Sequence, residues 1–115
     1  MAPRTNPLKL NPLQLRTLTL FQAVAQLPDA TRPGSAEGSV RLLHLPHAHG
    51  DHFHLGDAVV SAKDATGLAN PSVWQALTRK GLIAEATFPR GLELTAAGLA
   101  YDTGLGDTLL YHAPH

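Results

Sequence analysis

The chain has no cysteine, which excludes disulfides and thiolate metal sites and leaves only His, Asp or Glu to hold any metal. It has no excess charge either. Nine Lys and Arg balance nine Asp and Glu, so the basic surface that marks many nucleic-acid binders is missing on average and must be sought locally. No apolar run approaches the roughly 18 residues of a membrane span, and no signal-peptide pattern opens the chain. The expectation is a cytoplasmic protein with no membrane partner. Charged residues are scarce at 16%, so Thr, Ser, Gln, His, Pro and Gly must supply much of the surface. What remains is 115 residues, 43% apolar, enough for a single domain over 1–115 with one core.

The best-defined stretch runs over 70–83. Asn70 suits an N-cap and Pro71 the first helical position, where a missing N–H costs nothing. Gly81 falls where a left-handed residue ends a helix, with Leu77 and Leu82 placed for the apolar contact of a Schellman motif. Two apolar runs, 82–88 and 92–94, flank Pro89-Arg90-Gly91 and predict a hairpin with Arg90 at its tip. Thr95 then caps a last helix through Leu99 and Tyr101.

Upstream, Asn11 and Gln14 have capping-box spacing, and Leu10 and Leu15 that of a hydrophobic staple. A first helix is expected over 11–28, with Leu13, Leu18, Leu20, Phe21, Val24, Ala25 and Leu27 as its apolar stripe and Pro28 as its end. Residues 1–10 form an arm. Its Arg4 and Lys9, with Arg16, are read as solvated surface in preference to phosphate contacts. Residues 29–38, rich in Pro, Gly, Ser, Ala and Thr, read as a loop. Over 39–56 a strand at 40–45 is expected to pair with 53–55 as a His-rich hairpin. Residues 58–62 fit either a short helix capped by Asp57 or an extension of the preceding strand. The tail, 102–115, offers Leu109, Leu110 and Tyr111 for docking or for pairing with a second subunit.

Gly67-Leu68, then Val73 and Leu77, then Arg79-Lys80-Gly81-Leu82-Ile83, and finally Leu94-Thr95-Ala96-Ala97-Gly98 resemble the pattern of bacterial winged helix-turn-helix regulators over 57–101. The resemblance implies an α+β winged helix-turn-helix with three or four helices, a small antiparallel sheet and an extra His-rich β-hairpin. It also implies a recognition helix from Pro71, whose outer stripe would be Ser72, Gln75 and Arg79. Gln and Arg read adenine and guanine edges in a major groove, while Lys80 and Arg90 would meet phosphates.

Residues 45–54 hold four of the seven histidines. His47-Ala48-His49-Gly50-Asp51-His52 fits the H-x-H-x-D-H metal motif of the metallo-β-lactamase superfamily. We set that family aside, because its four-layer fold far exceeds this length and its later ligands have no counterpart. A smaller site survives. With Gly50-Asp51 as a two-residue turn, His49 faces His52 and His47 faces His54, which puts four imidazoles on one face. Such a cluster suits Zn, Ni, Cu or Fe. The plainer reading of the same letters is a polar face of neutral histidines.

The expected function is therefore a DNA-binding transcriptional regulator, with double-stranded DNA as partner, dimerising through its terminal segments and requiring no cofactor. The alternatives are a metal-binding module using His47, His49, His52 and His54, with or without a metal response, and a winged-helix protein-interaction module without DNA binding. No catalytic arrangement is legible, and an enzyme is not expected.

Overall fold

The computed structural model describes residues 6–56, 58–105 and 111–112. Among them the architecture is α+β, with three α-helices and two four-stranded antiparallel sheets. Helix α1 (Pro12–Val24) leads to β1 (Thr31–Pro33), β2 (Val40–Leu42), β3 (Ala48–His49), β4 (His52–Leu55) and β5 (Ala58–Ser61). Two short 3₁₀ turns precede α2 (Pro71–Arg79), followed by β6 (Ile83–Thr87), β7 (Gly91–Leu94), α3 (Ala96–Ala100) and β8 (Tyr111–His112). The first sheet has the order β1-β2-β7-β6 and the second β3-β4-β5-β8.

Local chemistry sets the helix ends. The Asn11–Gln14 capping box closes in both directions, at 2.8 and 3.0 Å. Helix α1 stops at Val24, before Pro28, and the chain turns through Pro28–Ala30. At α2, the Asn70 side chain accepts from the Ser72 amide at 3.0 Å. At its other end the Leu82 amide donates to the Leu77 carbonyl and the Gly81 amide to that of Thr78, both at 3.0 Å. This is the Schellman pair, and Gly81 takes the φ of +79° that it requires. Thr95 caps α3 through the Gly98 amide at 2.9 Å.

These ends aim one apolar face of each element at a common core. Leu18, Leu20, Phe21 and Val24 of α1 meet Val73, Trp74 and Leu77 of α2, over Leu42, Ile83, Leu92 and Leu94 of the first sheet. Trp74 stands edge-on to Phe21 at 5.3 Å, and its indole N–H donates to the Gly67 carbonyl at 3.2 Å. Residues 6–10 are fastened to the far end of the chain, since Tyr101 bonds both Asn6 and the Leu8 amide.

Two expectations change, and one open alternative is decided. The strand at 40–42 does not pair with 53–55. It lies between β1 and β7, with Val40 opposite Leu94 and Leu42 opposite Leu92, because its period-two pattern buries Leu42 and half-buries Val40 on the helix-backed face. Beyond it Pro46 has no N–H to give, so the next ladder starts afresh at Ala48. Second, the 29–38 segment is not plain loop. It contains β1, whose Pro33 is tolerated because β1 is an edge strand. Of the two readings open for 58–62, the strand holds over 58–61: Ala58 and Val60 face inward and Val59 and Ser61 outward, the alternation of a half-buried strand. The histidine hairpin thus belongs to a four-stranded sheet, β8 closing its other side.

Candidate nucleic-acid face and histidine pair

On α2, Val73, Trp74, Ala76 and Leu77 are buried, while Ser72, Gln75 and Arg79 are exposed. The three fall on one stripe, at the three- and four-residue spacing of a helix face. Beside them runs a groove of about 450 Å³ between α2 and the β6–β7 hairpin, lined by Pro71, Trp74, Gln75, Thr78, Arg79, Ala86 and Phe88. No acidic residue is in that lining. Phe88, 39% exposed, stands edge-on to Trp74 at 4.9 Å. The groove could be sought in the sequence only as an aromatic next to the expected hairpin tip.

Arg90 is exposed in the β6–β7 turn, as its place beside Pro89 and Gly91 suggests. It also borders a second cleft of about 470 Å³, whose walls include Leu43, His44, His47, Phe53 and Leu68. Lys80 is less available than the sequence implies, because its ammonium donates to the Leu8 carbonyl at 2.7 Å. Arg16 is half-buried rather than freely solvated, and its Nε finds no hydrogen-bond partner among the described residues.

In the second sheet Gly50-Asp51 form the turn and His49 lies opposite His52, with Ala48 opposite Phe53. Gly50 alone of the pair has positive φ, +67°, as a type II′ turn demands. His52 and His54 share the outer face of β4, with Ser61 and Val59 across the ladder. Their rings are T-shaped, centroids 4.8 Å apart, yet their Nε2 atoms are only 3.1 Å apart. The imidazoles therefore converge tip to tip. The Nδ1 of His52 faces the Asp51 carboxylate at 3.3 Å. If Nδ1 carries the proton toward that carboxylate, the Nε2 of His52 is left as acceptor and His54 donates to it. His47 does not join them. The ladder ends at Ala48, and His47 lines the second cleft with Phe53, whose side chain leaves β4 on the other face.

One polar centre has no counterpart in the sequence reading. Glu93, in the middle of the first sheet, is fully buried. Its carboxylate accepts from the Ser35 amide and hydroxyl at 3.1 and 2.8 Å and from the Ser39 hydroxyl at 2.9 Å. Arg41, its cross-strand neighbour, donates at 3.0 Å. The Ser35 hydroxyl, then that of Ser39, with help from the Ser35 amide and the Arg41 charge, hold the carboxyl below its ordinary value against the opposing effect of burial. The 34–39 segment is thereby pinned over the sheet.

Neither the protein-family models nor the curated proteins nor the solved structures provide a match to this chain. Among the described residues, no helix is long and apolar enough to cross a membrane.

Proposed function

We propose that this chain is a winged helix-turn-helix protein that binds double-stranded DNA and acts in transcriptional regulation, with α2 as the reading helix and the β6–β7 hairpin as the wing. The observation that carries this reading is the exposed Ser72–Gln75–Arg79 stripe beside an acid-free groove, flanked by a hairpin whose turn presents Arg90. The sheet order supports it as well. A strand after the first helix, β2, lies against the second strand of the hairpin, and α2 feeds straight into the first through Gly81. The nine residues of α2 extend roughly 13 Å at the usual helical rise, about two and a half turns, enough to lay three side chains along a groove. Arg79 and Arg90 are the cations for the duplex, and Lys80 serves mainly to hold the N-terminal segment.

The test is fluorescence anisotropy of the full chain with a mixed-sequence duplex over a salt series. Binding should weaken linearly in log salt, and Arg79→Ala and Arg90→Ala should each weaken it, a lost phosphate contact reducing the slope by about 0.9. If no salt-dependent affinity appears for any duplex at low salt, the reading is lost. The exposed Phe88 favours a second reading, a protein-interaction module docking an apolar side chain in the same groove. In that case Phe88→Ser abolishes partner binding and the arginine variants leave it intact.

A further inference from the structure

We propose that His52 and His54 form a binding site for a divalent transition metal, zinc foremost, held between their Nε2 atoms. The inference is independent of DNA binding. It starts from the strand: residues two apart in β4 share a face, and here both side chains are imidazoles. Two nitrogens bound to one zinc ion at 2.0–2.1 Å in tetrahedral geometry lie roughly 3.3 Å apart. The Nε2 atoms of His52 and His54 are 3.1 Å apart, while the ring centroids are 4.8 Å apart, so the pair presents its nitrogen tips at ligand spacing.

The surroundings supply the rest of what such a site needs. A histidine that binds metal through Nε2 usually donates its Nδ1–H to a carboxylate, which fixes the tautomer and raises the ligand's basicity. Asp51 stands there, 3.3 Å from Nδ1 of His52. Next to the pair is a shallow depression of about 280 Å³ lined by Asp51, His52, Val59 and Ser61, open to solvent for the waters that complete the coordination. The register sets the backbone of His49 directly opposite that of His52 across the turn. Imidazole donors without thiolates suit zinc, copper or nickel, and zinc has no demanding geometry to satisfy.

The experiment is a titration of the untagged full chain with zinc ion alone, in competition with a chromophoric chelator. One zinc per chain is expected. His52→Ala and His54→Ala should each lower the affinity by more than the roughly tenfold that an outer carboxylate is worth, and Asp51→Asn by about that tenfold. His47→Ala should leave it unchanged. Imidazole ¹⁵N spectra should show zinc shifting Nε2 of His52 and His54. Circular dichroism verifies folding, and His52→Gln and His54→Gln replace any alanine variant that fails it. Absence of zinc binding overturns the proposal, as does full binding by the His52→Ala/His54→Ala double variant, which would place the ion elsewhere on the chain.

Discussion

The first sheet has α1 and α2 against one face and the 34–39 segment over the other, so even its charged Glu93 is sealed from water. The second sheet packs Leu55, Ala58 and Val60 inward but keeps His52 and His54 on an outer face where water reaches them. In the first, a polar group is tolerated only because four donors satisfy it, and its work is architectural. In the second, the imidazoles of His52 and His54 meet each other and, through His52, the Asp51 carboxylate next in sequence. The difference teaches where to look for function on this chain. The polar centre of the first sheet is held by residues distant in sequence, whereas the histidine pair of the second is grouped by local strand geometry.

The largest effect should come from the helix-backed side. Trp74 is 2% exposed and touches both Phe21 and Phe88, and Trp74→Ala should cost about 3–5 kcal/mol in urea unfolding. Val60 is equally buried in the second sheet, but Val60→Ala removes only two methyl groups, a loss of about 2 kcal/mol. A loss at Val60 equal to that at Trp74 would break the comparison, because the second sheet would then be as integral to the core as the first.

Next in size is the acid response of Glu93. Its folded-state value lies below the ordinary 4.5, so its contribution is fully present above that value. The contribution is lost as pH falls through the lowered folded-state value, when the carboxyl must take a proton inside the sheet. Urea midpoints measured between about pH 3 and 6 should therefore fall with acid in the wild type and fall less steeply in Glu93→Gln. Parallel curves would show that the buried carboxylate is not the acid-sensitive element. At neutral pH the Gln variant should be the less stable protein, because charge-assisted bonds from Ser35, Ser39 and Arg41 become ordinary ones.

These effects also mark what the sequence could reveal. The caps of α1 and α2, the Schellman end at Gly81 and the turn at Gly50-Asp51 depend on residues within six positions of one another, and all are readable as spacing. Strand partners are not. The Val-Arg-Leu pattern of β2 says that one face is apolar, but not that β7, some fifty residues later, will lie beside it. The serines that hydrogen-bond Glu93 come from equally far away, which hid a buried charge behind what looks like a surface residue. Of the site residues, the exposed stripe Ser72, Gln75 and Arg79 follows from helix period alone, as does the shared face of His52 and His54 from strand period. The separation of His47 from that pair does not, because it depends on where the β3 ladder stops. Neither does the tether from Lys80 to Leu8, a contact across 72 positions.

The smallest effect should be at His54, and it sharpens the comparison most. Its side chain is exposed on the outer face of β4, so His54→Ala should change metal-free stability by no more than about 0.5 kcal/mol, the range of surface substitutions. Zinc alters that balance. A ligand that binds only the folded chain stabilises it by about 2.7 kcal/mol at a hundred times its dissociation constant. Wild-type protein should thus gain thermal stability with added zinc while His54→Ala does not. Near-identical melting without metal and divergent melting with it would separate a ligand-ready histidine pair from a structural one. A metal-free loss approaching that of Val60→Ala would instead show that the imidazoles brace the sheet as Glu93 braces the other.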